Sequence, residues 1–525
     1  MKKQSLVKGA FILTAAAFIT RILIFTNTII QSRILGPEGI GLKKMVMPFM
    51  GLMMTLTTIG LPVAISKLVA EADAEGNRRK VKKILIVSLT LTGSLSIVVM
   101  MFSVLSAKVF SSYFLTDQRA YYSFMALIPM IPLGAISGVV KGYFRGMQTM
   151  SPLALSQVFE QIVHIVFTYV LVQLLIPYGI EYAAAGTVFS SVIGEAFSLL
   201  FLSDMFIKTH RRRFCVPQSV LPHITKGKTI LMELLQTGLP TAGSGVVMSA
   251  ARSLQPIMIT KSLAAAGVSS VMITKQYGML TGFVMPLIFF PAFINQSLKV
   301  TLVPAISEAN AKNNIKLIRR RINQAIGAAL LVGVPSTIFL YLFSSELMTV
   351  IYHSPQAASL LKVIAPFYLF NYIQTPLQSA LVGLGKAKIE MMNNIIAAAA
   401  TLLLIYPLAS NPQLGIFGVI YALSIGGLLE TFLHFYFVAE FINFSLDFSN
   451  IIRILAAGTF MGCSSKIIFV LLASGFNVGY KTLISILLSL GIYLMFLVYL
   501  KVIQHSDIIR IPLIERIWTS LFPVK

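Results

Sequence analysis

Acidic side chains are scarce in this chain of 525 residues, with 18 Asp and Glu in total. Charged residues of both signs make up only 11% of the sequence, whereas 56% of the residues are apolar and the mean hydropathy is +0.84. A chain of this composition has too little polar surface to cover a water-soluble globule. We therefore predict an all-α polytopic membrane protein.

Cysteine is also rare, and the side chains that catalysis needs do not cluster. The two cysteines, Cys215 in a basic loop and Cys463 in an apolar run, cannot form a disulfide framework or a metal-ligand set. Among the six histidines only His164 and His434 fall within apolar segments, and no paired-carboxylate, zinc, nucleophile or P-loop pattern is present. The sequence therefore predicts neither an enzyme nor a cofactor or metal site.

Basic residues, in contrast, are abundant, with 42 Lys and Arg and a net charge of +24. They lie in short loops between apolar runs, which argues against nucleic acid as a partner. About 28 of the 42 fall in the termini and in alternate loops, against about nine in the remaining loops. Because basic loops stay on the cytoplasmic side of a membrane, both termini are predicted to be cytoplasmic in a multi-pass plasma-membrane protein.

Apolar segments divide the chain into two lobes of six helices each, followed by two extra helices. The lobes are predicted at 1–207 and 230–440, joined by a basic cytoplasmic linker at 208–229; the extra helices occupy 441–502 and a cytoplasmic tail covers 503–525. The fourteen predicted helices lie at about 9–30, 44–70, 84–107, 121–143, 153–176, 182–207, 232–261, 275–306, 323–344, 358–383, 391–409, 414–440, 450–472 and 480–502.

An internal repeat supports the two lobes. The segment from Leu61 to Ser66 recurs from Leu302 to Ser307 at an offset of about 241 residues, and each copy leads into a basic loop. Repeated lobes in membrane transporters enclose a site near the midplane and move about it. Pro62 and Pro304 occupy equivalent places in this repeat, so we predict a helix bend at each.

Two arginines lie well inside the first helix of their lobes. Arg21 and Arg252 either line a cavity that attracts anions or pair structurally with carboxylates such as Glu160. Lys67, Lys299 and Lys466 are close enough to helix ends to extend towards the membrane surface.

A polar stripe follows one face of a helix in the first lobe. Gln157, Glu160, Gln161 and His164 recur at helical spacing, and they face either a cavity or a hydrogen-bond network inside the lobe. Glu195 and Glu430 are two further acids at membrane depth, with either a structural or a functional role.

Seven stretches of the sequence carry a resemblance to a known family. They are TRIL at 20–23, SRILGPEGIGL at 32–42, LPVAISKLVAEA at 61–72, KGYFRGMQTMSPLALSQVFEQIV at 141–163, PYGIEYAAAG at 177–186, TKQYGMLTGF at 274–283 and LVPAISE at 302–308. These stretches resemble the stage V sporulation protein B family, a branch of the multidrug, oligosaccharidyl-lipid and polysaccharide exporter superfamily that includes lipid II flippases. The resemblance extends over essentially the whole chain and implies a V-shaped, fourteen-helix fold that works by alternating access on undecaprenyl-pyrophosphate-linked sugars. It also implies a peptidoglycan precursor for the spore cortex as substrate, and a groove for the lipid tail between the last two helices.

The chain departs from that family at three neighbouring positions. It carries Ile24 where relatives usually have Gly, Thr28 in place of an Arg beside Asn27, and Lys43 in place of a Tyr. The missing arginine predicts a weaker grip on an anionic substrate.

Together these observations predict a flippase that moves an undecaprenyl-pyrophosphate-linked peptidoglycan or polysaccharide precursor to the outer leaflet. An ion-coupled multidrug exporter and a non-transporting envelope scaffold are the alternatives. Lipid-linked glycan, membrane lipids and cell-wall synthases are the expected partners. The predicted substrate-binding residues are Arg21, Asn27, Arg33, Gln157, Glu160, Arg252 and Lys275.

Overall fold

The structure, a computed structural model, describes residues 6–210, 224–472, 475 and 477–502, and every described element is helical. Most of the predicted linker, including Cys215, and the predicted tail at 503–525 lie outside these residues. The helices are α1 Leu6–Thr58, α2 Leu61–Ala74, α3 Arg78–Phe114, α4 Ala120–Leu127, α5 Met130–Gly146, α6 Met150–Leu175, α7 Ile180–His210, α8 Ile224–Ala265, α9 Ser270–Gly278, α10 Met285–Phe289, α11 Phe293–Ala311, α12 Ile315–Leu342, α13 Ser344–Tyr352, α14 Ala358–Gly383, α15 Ala387–Ala409, α16 Ile416–Ile442, α17 Phe448–Leu471 and α18 Val478–Tyr499, with a π-helical segment at Met279–Val284 between α9 and α10.

Helix α1 contains the first predicted membrane crossing and the first part of the second, which continues beyond Thr58 into α2. A straight helix of its 53 residues would be about 80 Å long, far more than the roughly 30 Å of a bilayer core. Gly36 interrupts it with φ 63° and ψ −174°, a left-handed φ that glycine adopts readily, and Pro37 follows. The predicted loop between the crossings therefore shrinks to a sharp turn, and polar residues on both sides of the turn remain helical.

Helix α3 has two faces with different side chains, one packed inside the protein and one exposed. Its buried face carries small hydroxyl side chains, whereas its opposite face exposes large apolar ones. Small residues allow helices to approach closely where lipid removes the hydrophobic drive for association. The buried set is Ser88, Thr92, Ser96, Ser103 and Ser111, and the exposed set includes Val98, Met101, Phe102, Leu105 and Val109.

The described residues contain ten helical segments long and apolar enough to cross a membrane, or eleven if the pair Ser270–Phe289 and Phe293–Ala311, bent by 54°, is counted as one crossing. The predicted count of fourteen is not reached. The stretch Ala15–Ala74 is one of the ten segments although it holds two predicted helices. Helices α8 and α14 are less apolar and are not among the ten. Helix α14 is less apolar because it carries the amide side chains of Asn371, Gln374 and Gln378. These amides form hydrogen bonds within the protein.

The two predicted proline bends have different outcomes. The chain breaks at Ile59 and Gly60, both at positive φ, and Pro62 then occupies the first turn of α2, where its missing N–H costs nothing. Pro304 instead lies inside α11, while the 54° bend precedes that helix, between Phe289 and Phe293. A bend at Pro304 itself stays a prediction.

Contacts divide the chain into two compact units. The first comprises Met1–Pro286 with Ala398–Val419, and the second Leu287–Ala397 with Ile420–Lys525. Contacts thus assign α8 to the first unit, whereas the sequence repeat assigns it to the second lobe. The lobes at 1–207 and 230–440 stay a prediction. Each unit has its own apolar core, centred on residues such as Ile65 and Val69 in the first and Ile322 and Tyr372 in the second.

Candidate functional site

The turn at Gly36 brings together two polar side chains of α1 that are twelve residues apart. Lys43 is buried, and its Nζ donates a hydrogen bond of 2.7 Å to Oε1 of Gln31. Nε2 of Gln31 donates to Thr168 Oγ1 of α6 at 3.5 Å, and that hydroxyl lies 2.8 Å from Ser190 Oγ of α7. A lysine at this depth is expensive unless it is hydrogen-bonded, so this line of polar groups fixes α1 against α6 and α7.

A second interior group combines charges of both signs. Lys141 Nζ of α5 lies 2.8 Å from Oε1 of Glu195 on α7 and 3.8 Å from Oε2 of Glu160 on α6. The side chains of Lys141, Glu160 and Glu195 are only 20%, 19% and 6% exposed. We name these three residues the Lys141 triad.

Glycines orient Lys141 within α5. A Cβ at Gly142 would lie 2.9 Å from the carbonyl oxygen of Pro62, and one at Gly146 would lie 2.7 Å from that of Ser66, so this face of α5 packs directly against α2. Lys141 therefore extends away from α2. Lys141 lies inside the predicted helix 121–143, and α5 continues three residues beyond the predicted end, to Gly146.

The predicted polar stripe of α6 faces α7. Gln157, Glu160, Gln161 and His164 are all half-buried, and a Cβ at Gly194 of α7 would lie 3.0 Å from the carbonyl oxygen of Glu160 and 3.3 Å from Cβ of His164. The stripe thus belongs to the interior of the first unit. Its helical spacing predicted a shared face correctly.

Five residues from three chain segments meet at one end of the first unit, and we call them the Arg119 cluster. The guanidinium of Arg119 donates to Glu38 Oε1 at 2.6 Å and to Asp117 Oδ2 at 2.8 Å, and Asp117 Oδ2 also accepts a 2.8 Å hydrogen bond from Thr274 Oγ1. Lys275 Nζ completes the cluster at 3.3 Å from Glu38 Oε2. The predicted helix boundaries put all three segments on the same side of the membrane, and their meeting agrees with that threading.

Asp117 and Arg119 lie between the spans that end at Phe114 and begin at Ala120. Burial alone would raise the pKa of Asp117, but hydrogen bonds from Arg119 and Thr274 outweigh it and hold this pKa below its usual value. The same carboxylate raises the pKa of the Arg119 guanidinium above its usual value against a desolvation effect. Both groups are therefore charged at neutral pH.

Glycines bring α1 and α9 into backbone contact next to the Arg119 cluster. A Cβ at Gly41 would lie 2.0 Å from the carbonyl oxygen of Thr274, and one at Gly278 would lie 1.9 Å from that of Pro37. A residue with a Cβ atom cannot occupy either position unless one of the two helices moves. The crossing fixes Thr274 and Lys275 relative to Glu38.

The interior of the second unit uses amides in place of a central cation. Glu390 Oε1 of α15 accepts hydrogen bonds from Gln378 Nε2 and, at 2.9 Å, from Asn394 Nδ2. Lys299 Nζ lies 3.5 Å from the other end of the Gln378 amide, at Oε1. In the same unit Gln374 Nε2 donates to Glu430 Oε1.

Each lysine that was predicted to extend towards a membrane surface has a polar partner, and that of Lys299 is Gln378. Lys67 lies 3.9 Å from Glu71 on an exposed face. Lys466 lies 3.8 Å from Glu346 and above the ring of Phe343 at 4.8 Å from its centroid.

The predicted substrate-binding residues are spread over several environments in the first unit. Arg33 and Arg252 are exposed, Arg21 and Gln157 are half-buried, and Asn27 is buried with its Oδ1 lacking a hydrogen-bond partner among the described residues. The structure pairs Glu160 with Lys141, and Lys275 with Glu38. Sequence reasoning missed Lys43, Lys141 and Arg119, because each lies next to a predicted helix boundary.

Comparison with known proteins gives matches along the whole length of the chain. Residues 6–310 match the family described as "Polysaccharide biosynthesis protein", and residues 277–407 match the family described as "MatE". Stage V sporulation protein B of Bacillus subtilis (strain 168) is 41% identical over 517 residues, which cover 98% of this chain and 99% of the relative. The chain belongs to the stage V sporulation protein B family.

A second relative and two solved structures are similar to this family member at lower sequence identity. The lipid II flippase MurJ of Bacillus subtilis (strain 168) is 24% identical and covers 91% of this chain and 90% of its own length. Among solved structures, a lipid II flippase MurJ in an inward closed conformation aligns with a TM-score of 0.66 at 15% identity, covering 93% of this chain and 98% of that one. An inward-facing multidrug resistance MATE family transporter aligns with a TM-score of 0.64 at 17% identity, covering 81% and 94%.

These matches confirm an all-α membrane fold of the transporter type. They place the family member among multi-pass membrane transporters, so the expectation that it is not an enzyme is confirmed.

Proposed function

We propose that this protein moves a polyprenyl-diphosphate-linked glycan, such as a peptidoglycan precursor, from the cytoplasmic to the outer leaflet of the plasma membrane. The observation that carries the proposal is the exposure of Arg252 well inside the long helix α8. The relative named lipid II flippase supports the substrate class.

An exposed arginine in an apolar helix needs water or an anion as its neighbour. Arg252 is thirteen residues from the C-terminal end of α8, about 20 Å along the helix. Facing hydrocarbon at that depth would cost several kcal/mol, so a water-filled path that an anionic headgroup can enter is the favourable surrounding. The guanidinium fork holds two phosphate oxygens at once, which suits a diphosphate.

Arg21 on α1 and Lys275 on α9 are two further cations of the first unit that the proposal includes. Both side chains are half-buried, and Lys275 keeps Glu38 as a counter-ion until an anion competes for it. With cytoplasmic termini, outward transfer of a diphosphate follows the membrane potential, which contributes about 2.3 kcal/mol per charge per 100 mV.

A flipping assay tests this function. Purified protein is reconstituted into vesicles with a fluorescent polyprenyl-diphosphate glycan, and transfer is measured by the accessibility of the glycan to an impermeant reagent. Arg21→Ala and Arg252→Ala are expected to abolish transfer, Arg21→Lys to restore part of it, and Thr28→Arg to increase it. Arg79→Ala, which removes an exposed arginine from the first turn of α3, is the matched control and leaves transfer unchanged. Wild-type transfer by Arg21→Ala and Arg252→Ala at equal protein level contradicts the proposal.

Export of drugs is a second candidate, because the fold is shared with multidrug resistance transporters. Increased tolerance of an overexpressing strain to several cationic dyes, without glycan transfer in vesicles, favours this candidate. A non-transporting scaffold predicts neither result.

A further inference from the structure

The Lys141 triad holds more negative than positive charge inside the membrane region. Glu160 and Glu195 belong to the facing helices α6 and α7, and a single ammonium group lies between them, nearer to Glu195. Two ionised carboxylates that share one buried site repel each other, and the cost grows as water is removed. One added hydrogen ion makes the triad neutral.

Ser198 is a further polar group at the same place. It lies one turn beyond Glu195 on α7, next to the carboxyl group of Glu160, and is completely buried. A hydroxyl can donate a hydrogen bond to an ionised carboxylate and can accept one from a protonated carboxyl group. Ser198 can therefore stay hydrogen-bonded to Glu160 whether or not Glu160 carries a proton.

The charged groups on the neighbouring helices leave this imbalance in place. On α2, Lys67 and Glu71 pair with each other on an exposed face, and on α3, Lys80 lies 4.0 Å from Glu233 of α8. From α1, Lys43 is directed at Gln31, near His164. Within the part of the chain that the structure describes, none of these cations contacts Glu160, so Lys141 is its counter-ion.

A line of polar groups leads from the triad along the α6–α7 contact. His164 lies one turn beyond Glu160 and Thr168 two turns beyond it, about 12 Å along the helix. From Thr168 the hydrogen bonds continue through Ser190 on one side and through Gln31 to Lys43 on the other. Such a line crosses a large part of the unit without leaving α1, α6 and α7.

We propose that the Lys141 triad is a binding site for one exchangeable hydrogen ion, which couples this protein to the proton gradient. The proton adds to a carboxylate oxygen of Glu160, and the remaining carboxylate of Glu195 keeps the ion pair with Lys141. Release of that proton to the other side of the membrane restores the charged triad. Binding of the proton stands independently of the transported substrate, whereas its use in coupling rests on the proposed function.

Infrared titration of the purified protein in lipid nanodiscs tests proton binding directly. Wild-type protein is expected to lose one protonated-carboxyl band as the pH is raised, Glu160→Gln lacks this band, and Glu195→Gln shifts its midpoint. Asp204→Asn, at an exposed position of α7 paired with Lys208, retains the wild-type band. A titration identical in wild-type and Glu160→Gln overturns the proposal. A midpoint that moves with sodium concentration also overturns it, because the site is then a metal-ion site.

Because Glu160→Gln could fail to fold, Lys141→Met provides an independent measurement. Loss of the ammonium leaves two carboxylates without a cation, so the midpoint of the carboxyl band moves to higher pH. An unchanged midpoint in Lys141→Met rejects the triad as the site.

Coupling is tested in the vesicle assay with the membrane potential held at zero. A gradient of one pH unit can change the equilibrium constant of a transport step coupled to one proton by up to about tenfold. We expect this gradient to accelerate glycan transfer by wild-type protein and by Asp204→Asn, but not by Glu160→Gln. Equal acceleration of Glu160→Gln overturns the coupling role. Absence of transfer in wild-type protein rejects the proposed function instead, and the infrared titration still decides proton binding.

Discussion

The interiors of the two units handle buried carboxylates differently. In the first unit Glu160 and Glu195 depend on the ammonium of Lys141, whereas in the second unit Glu390 is held by the neutral amides of Gln378 and Asn394. Removal of a counter-ion leaves a charge without compensation, but removal of one of two amide donors leaves the other. The first unit is therefore predicted to be the sensitive one, both to substitution and to pH.

The largest effect is expected from Lys141→Met. We expect it to lower the free energy of unfolding by about 3 kcal/mol near pH 8, since both carboxylates of the triad then lose their cation. Thermal unfolding in detergent measures this effect. At acidic pH the loss should shrink as a carboxylate takes up a proton. Lys208→Met is the control, because its partner Asp204 and its own side chain are exposed. Equal destabilisation by Lys141→Met and Lys208→Met would remove the difference between the two interiors.

An intermediate effect is expected from Gln378→Leu in the second unit. The substitution removes one hydrogen bond to Glu390 and should cost about 1–2 kcal/mol, because Asn394 still donates. The matched control is Gln296→Leu, which changes an exposed glutamine of α11. Thermal unfolding of both variants under one set of conditions provides the measurement. A loss as large as that of Lys141→Met would show that the amides are as essential as the ammonium.

A smaller effect is expected from Lys299→Met. Its Nζ contacts Gln378 at 3.5 Å and forms no ion pair with a carboxylate of the described residues, so its removal should change the free energy of unfolding by less than about 1 kcal/mol. The comparison between Lys299→Met and Lys141→Met is the most direct one, since both replace a half-buried lysine. Equal melting temperatures for the two variants would contradict the contrast.

The last effect is a dependence of stability on pH, and it concerns Asp117 in the Arg119 cluster, outside the predicted membrane spans. Since its folded-state pKa is below the usual value, its ion pair contributes stability at neutral pH that is lost as the pH falls through that lowered pKa. Asp117→Asn should remove this acid-dependent loss, at a cost near neutral pH of about 1 kcal/mol. Melting temperatures measured from neutral to strongly acid pH test it against Asp204→Asn, which should follow the wild type. A variant curve parallel to the wild type at every pH would contradict the assignment.

The sequence predicted the class of fold and part of the interior. Composition and cation distribution suffice for a multi-pass bundle, and helical spacing put Glu160 and His164 on one face before any partner was known. The role of Lys141 was missed because it lies close to the end of the predicted helix 121–143, and its contacts with Glu160 and Glu195 depend on how α5 packs against α6 and α7. The Arg119 cluster was missed because its members come from three segments whose meeting depends on tertiary packing. The count of fourteen spans stays a prediction, because α8 and α14 are not among the segments that are apolar enough to cross a membrane. In α14, half-buried amides replace apolar residues.

The turn at Gly36 also has a consequence for how the protein enters the membrane. Because a single residue joins the first two crossings, the hydrogen bond between Lys43 and Gln31 forms within one continuous stretch of about twelve residues. The ammonium group is thus satisfied before α6 and α7 have been synthesised, and a bilayer accepts a polar group far more readily when its partner accompanies it. The two halves of α1 can therefore enter the membrane as a pair of helices that carries its own internal polar contact.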